Sequence, residues 1–155
     1  MEMPKPTEHH AKLGKLAGKW AADETLYPSP WDQKGGTAKG RMTARMDMGG
    51  FWLISDYEQE RNGQVNFRGH GVYGYDPNRK QYSMYWTDNV APSTEPIWGQ
   101  WEGDTLPFQH QNQQMGGWNR YVYRFNADGT HTFIMQSSQD GKTWSPSMEG
   151  HFRKA

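Results

Sequence analysis

Short turn signals recur along the whole of this chain, and they constrain its fold more than any other feature. Gly49-Gly50, Asn62-Gly63, Ala127-Asp128-Gly129 and Asp140-Gly141 are hairpin sequences, with Asp76-Pro77-Asn78-Arg79-Lys80 and Glu102-Gly103-Asp104 as further turns. The segments between them alternate polar and apolar residues, the period of a half-buried strand. Tight hairpins join only antiparallel neighbours, so the chain reads as about ten sequential antiparallel strands. An open twisted sheet tolerates so many strands poorly. The expected fold is therefore all-β: a single up-and-down antiparallel β-barrel of about ten strands.

Two of the turns set a register. A tight hairpin at Gly49-Gly50 pairs Met46 with Leu53, Ala44 with Ser55 and Met42 with Tyr57. On the opposite face it pairs Arg41 with Glu58 and Lys39 with Glu60, complementary charges that belong in water. A second tight hairpin at Asn62-Gly63 matches Arg61 to Gln64. Arg68 then falls beside Tyr57, His70 beside Ser55 and Val72 beside Leu53, which turns Arg68 and His70 inward. Gly69 and Gly71 face outward in this register, leaving a groove for Trp52 or Tyr73 to cover. The next strand, near residues 81–88, places either Trp86 or Tyr85 as the inner neighbour of His70. The inward or outward facing of residues 82–88 stays open.

At the N-terminus, Thr7 is placed to cap a short helix running to about Leu16, with Gly18 past its end. Leu13 and Leu16 form a narrow apolar stripe, and two turns of helix need a surface to pack on, so the helix is expected to plug one end of the barrel. Pro28 to Gly36 reads as a long loop with Trp31 either a lid or tucked against the rim. His9 and His10 read as a solvated helix face, and His110 and His131 as rim or surface residues. Trp86, Trp98, Trp101 and Trp118 are numerous enough to fill a core and still line a pocket.

The chain has 155 residues, which suits one domain over 1–155 with 1–6 flexible. Its 17 basic and 17 acidic side chains balance, so nothing points to nucleic acid or an anionic membrane. No apolar run suggests a signal peptide or a transmembrane helix. The absence of cysteine rules out disulfides and thiolate ligands and is compatible with a cytoplasmic location, the expected one. No paired-histidine metal motif, phosphate loop or nucleophile elbow occurs, so no metal is expected.

Leu16-Ala17-Gly18-Lys19-Trp20 resembles the Gly-x-Trp opening of the calycins, the lipocalin and fatty-acid-binding superfamily. The resemblance implies that Trp20 closes one end of the barrel, with Arg153 or Lys154 packed across it. Phe67-Arg68-Gly69-His70-Gly71, Gly74-Tyr75-Asp76, Gly103-Asp104-Thr105-Leu106, Asp128-Gly129 and Met148-Glu149-Gly150 are similar to a bacterial family of uncharacterised calycin-like proteins. That likeness runs from about Leu13 to Arg153 and implies a barrel without an agreed activity. A more distant resemblance is to nitrobindin-type barrels, which hold haem through a histidine near the C-terminus, the region of His151.

The expectation for function is a small-molecule-binding barrel for an apolar or aromatic ligand, its acidic group seated on Arg68 with His70 as a second donor. Tyr57, Ser55, Trp86 and Met46 complete the expected binding set, with Ala44 and Ser55 leaving room beside His70. A second expectation is a cofactor-independent isomerase, cyclase or hydrolase using His70 as acid/base, in a triad with Arg68 and Asp88. A third is haem held by His151 or His70, with no cofactor otherwise. A homodimer through the outer Trp52 face is a further reading.

Overall fold

In the computed structural model, which describes residues 1–30, 32–91, 94–112 and 116–155, ten antiparallel strands close into one barrel. The candidate lid Trp31 lies outside the described residues. The strands are β1 (Gly18–Leu26), β2 (Gly36–Asp47), β3 (Trp52–Arg61), β4 (Gln64–Asp76) and β5 (Gln81–Asp88). They continue as β6 (Ile97–Gly99), β7 (Thr105–Gln111), β8 (Trp118–Phe125), β9 (His131–Ser138) and β10 (Ser145–Lys154). Each strand pairs with its neighbours in sequence, and β10 closes on β1. Closure removes the free edges that ten open strands would leave.

One end is plugged as expected. A short helix, α1 (Glu8–Ala11), runs into a 3-10 turn over Lys12–Leu16. Thr7 Oγ1 accepts from the His9 amide, and His10 Nδ1 accepts the Thr7 amide at 3.0 Å, a capping box with histidine in the usual Glu/Gln place. The cap draws His10 inward against the edges of Phe51 and Tyr75, while His9 stacks on Tyr75. His10 is therefore buried and not part of a solvated face, whereas His9 stays exposed. Leu13 and Leu16 are buried, each contributing roughly 1.5–3 kcal/mol. The Trp20 indole donates to the Leu16 carbonyl at 2.8 Å. The Lys154 ammonium stands 4.0 Å from the Trp20 ring centroid and donates to the Ala17 carbonyl. Arg153 turns outward to Asp23, so Lys154 is the basic residue packed across Trp20. Among the described residues no helix is long and apolar enough to cross a membrane.

The β2–β3 register is the expected one, with Met42 opposite Tyr57, Ala44 opposite Ser55 and Met46 opposite Leu53. The β3–β4 register is not. Arg61 does pair with Gln64, but a bulge leaves Asn66 without a partner on β3, and the pairing slips by one residue beyond it. A slip of one turns every later side chain to the other face. Gly69 and Gly71 now oppose Tyr57 and Ser55 and face inward, while Arg68 and His70 oppose Glu58 and Asp56 and face out. The Asn89 side chain completes the disturbed ladder: it accepts from the Arg68 amide and donates to the Asn66 carbonyl, both at 2.9 Å.

The plugged half of the interior is a dry aromatic core. Tyr73, Tyr82, Phe108, Leu53 and Leu106 are at most 1 % exposed, and the Tyr73 and Tyr123 hydroxyls meet at 2.7 Å. His131 belongs to this core and not to the rim, because β9 begins with its side chain directed inward opposite Phe125 and Phe152. It stacks on Phe152 with ring centroids 4.8 Å apart and meets Trp20 edge-on. Trp98 and Trp118 lie outside the barrel wall. Arg79 stacks on Trp98, and Trp118 packs across Gly141.

Candidate functional site

The open half of the barrel interior differs from the plugged half. There the inward side chains Phe67, Trp86, Tyr121, Phe133 and Met135 are only half-buried, so they line a bowl that water reaches. Trp86 forms one wall. It lies across Gly69 and Gly71 of the neighbouring strand, and a Cβ on Gly69 would fall 2.1 Å from its ring. The two glycines thus make room inside the barrel for an indole. The Trp86 Nε1–H donates to Asp88 Oδ2 at 3.0 Å, and Asp88 Oδ1 accepts the amides of Val90 and Ala91.

A buried carboxyl stands on the adjacent wall. Trp20, Ala22 and Glu24 alternate on the inner face of β1, and Glu24 is 2 % exposed. Its carboxyl lies against Gly40 of β2, where a Cβ would sit 2.9 Å from the carboxyl carbon. Gly150 of β10 gives the same clearance on the other side, 3.3 Å from Glu24 Cγ. The Tyr57 hydroxyl donates to Glu24 Oε2 at 2.5 Å, and Gln59 Nε2 donates to Oε1 at 3.3 Å. Burial pushes the Glu24 carboxyl above its ordinary pKa, and the two hydrogen bonds partly offset this. Burial and then the adjacent Glu24 push the Tyr57 phenol well above its usual range.

The bowl continues around the barrel through contacts between inward side chains. The Tyr57 ring lies 6.3 Å from Trp86 and 5.9 Å from Phe67. Burial, then the Asp88 charge, raises the Tyr121 phenol. The His110 ring lies 5.9 Å from Tyr121, and its Nε2 is buried with no partner among the described residues. Burial lowers the His110 pKa, which favours a neutral imidazole.

The expected site residues therefore separate. Tyr57 and Trp86 meet in the bowl. Ser55 is buried behind it, next to Gly71, and Met46 faces inward opposite Leu53 at the plugged end, away from the bowl. Arg68 and His70 are on the outer wall: Arg68 binds Glu58 at 2.9 Å, and His70 Nδ1 lies 2.7 Å from Asp56 Oδ1. No anion seat on Arg68 and His70 forms inside the barrel, and the wall separates both from Asp88, so the expected triad does not assemble. His151 also faces out, 3.6 Å from Glu149, so it and His70 both stand outside the lumen. The inward histidines are His110 and His131.

The sequence reading missed Glu24, Gln59 and His110. For Glu24 a signal was present, since it alternates with Trp20 along β1 and must share its inward face. Two surface hollows of about 410 and 280 Å3 lie along β1 and β10. Asp23, Lys39, Arg153 and His151 there are paired with one another or with Glu149, and Glu60 with Arg41, while Glu24 also borders the larger hollow. Among the described residues no three His, Asp or Glu side chains gather as a metal site would need.

The fold recurs among solved structures. The crystal structure of Rv2717c from M. tuberculosis has a TM-score of 0.70 to this chain at 13% identity, covering 96% of this chain and 98% of that one. At that identity the likeness is one of fold. No curated protein matches the chain. The family model described as "Protein of unknown function (DUF1579)" matches residues 5–154, and the chain belongs to that family.

Proposed function

We propose that this protein binds a small apolar or aromatic molecule in the open half of its barrel. One observation carries the reading. Phe67, Trp86, Tyr121, Phe133 and Met135 point into the barrel, remain half-buried, and lie away from the helix that plugs the other end. Inward aromatic surface left within reach of water is surface a ligand can cover. Covering roughly 150 Å2 of apolar area is worth on the order of 4 kcal/mol, a millimolar affinity, so apolar contact needs a polar partner to bind more tightly.

The test is a titration with N-phenyl-1-naphthylamine, a neutral probe whose emission rises in apolar surroundings. The wild type should enhance it, and Trp86→Ala and Phe67→Ser should each weaken binding tenfold or more. Arg68→Ala should leave it unchanged. No enhancement by the wild type, or enhancement that survives both lumen substitutions, sinks the proposal.

A further inference from the structure

We infer that the bowl selects an aromatic ligand carrying a hydrogen-bond donor, best a protonated amine, and rejects a carboxylate. This deepens the reading above and rests on it. The expectation from sequence had the opposite polarity, because it seated an acidic ligand on Arg68 and His70.

The polar atoms that face the lumen, and what each has left to give, set this preference. Tyr57 commits its only proton to Glu24, at 2.5 Å. Its oxygen has two lone pairs, and Gln59 Nε2 lies 3.3 Å from it, which leaves one free. Toward a ligand, Tyr57 is therefore an acceptor, and Glu24 is the positioning residue that makes it one. Asp88, half-buried on the inward face of β5, is an acceptor-only carboxylate. It accepts hydrogen bonds from Trp86, Val90 and Ala91 and retains acceptor capacity.

The charge of the bowl points the same way. Among the described residues, the inward positions of its walls hold two carboxyls, Glu24 and Asp88. The cation at its rim, Arg61, is bound to Asp32 at 2.6 Å and to the Gly35 carbonyl. Lys39, Arg41, Arg68 and Arg120 face outward; Arg120 stacks on Trp144 and bonds Gln136. A ligand carboxylate entering this half would meet two carboxyls, with only the neutral side chains of Gln59, Asn119 and His110 as donors among the described residues. An ammonium would find Tyr57, Asp88 and the face of Trp86, which attracts a cation.

Competition against N-phenyl-1-naphthylamine with three ligands of one shape tests this: 2-naphthylmethylamine, 2-naphthylmethanol and 2-naphthoate. The amine should displace the probe at a concentration at least tenfold below the naphthoate, with the alcohol between. Tyr57→Phe and Asp88→Asn should each shrink the amine-to-naphthoate ratio threefold or more, both competitors being measured against that variant's own probe affinity. Naphthoate competing as well as the amine, or a ratio that both substitutions leave intact, overturns the inference while the binding bowl stands. If the probe itself does not bind, both readings fall.

Discussion

Tyr57 and Glu24 stand on strands that do not touch, β3 and β1, yet meet at 2.5 Å inside the barrel. Gly40 of the intervening strand makes this possible, since any side chain there would occupy the space of the Glu24 carboxyl. A buried acid in this protein thus depends on an absent Cβ.

Replacing Gly40 with alanine puts a methyl group 2.9 Å from the Glu24 carboxyl carbon. Overpacking of this kind costs about 1–3 kcal/mol. Chemical denaturation of Gly40→Ala should show that loss. Gly14→Ala, where no atom lies within 4 Å of the added methyl, should not. Equal effects at the two positions would show that Glu24 moves freely.

Glu24 has a raised pKa, with burial as the first cause. The folded state therefore holds this proton more tightly than the unfolded state, whose carboxyl titrates near 4.5. Wild-type stability falls as pH rises from 4.5 through the raised value, and the burden persists above it. Glu24→Gln carries no such burden, so its stability relative to wild type should climb across that window and level off. A difference that stays flat with pH between 4 and 8 would contradict a buried ionisable Glu24.

His131 behaves in the opposite sense. Burial, aided by the Lys154 charge, lowers its pKa to about 4 from 6.5. The unfolded chain takes up this proton first, so stability is full above pH 6.5 and declines toward pH 4, by up to about 3 kcal/mol. Both ring nitrogens are buried without a partner, and removing an unsatisfied buried group recovers on the order of 1 kcal/mol. His131→Phe should raise the thermal midpoint at pH 7 and remove this part of the acid decline. A variant less stable at pH 7, with the same acid profile as wild type, would show that the imidazole is solvated.

The outer positions of Arg68 and His70 make a prediction about stability. Both side chains are solvent-exposed, Arg68 in a surface ion pair with Glu58 and His70 in a hydrogen bond with Asp56, contacts worth about 0–1 kcal/mol each. Arg68→Ala and His70→Ala should shift denaturation midpoints by no more than that. Deleting Asn66 removes only the bulged residue and leaves Phe67 opposite Gln59 and Arg68 opposite Glu58, so the deletion should keep both side chains outside. If Arg68→Ala costs about 3 kcal/mol or more, as breaking a buried ion pair does, Arg68 does not stand on the outer wall and the slipped β3–β4 pairing is wrong.

Much of the barrel was legible in local patterns. The Gly49-Gly50 turn carried the β2–β3 register, even though it folds as a 3-10 turn and not a two-residue loop, because strand alternation and the Arg41–Glu58 pairing fix the faces independently. The Asn62-Gly63 turn carried only its first two pairs. Asn66 is an ordinary polar residue in an alternating strand, and what stabilises its bulge is Asn89, which supplies hydrogen bonds from 23 residues away. His131 was misplaced for a related reason: its strand begins at that residue, so no preceding alternation marks its face.

By itself the sequence determined the strand order, the hairpins and the plugging helix, since these depend on turn chemistry, two-residue periodicity and neighbours a few positions apart. Only the tertiary structure decided what faces the lumen. One unpaired residue inverts every side chain beyond it, and closure brings β1 within reach of β3 over Gly40. The bowl is consequently lined by Glu24, Tyr57, Trp86 and His110, and Arg68 and His70 remain in water on the wall outside.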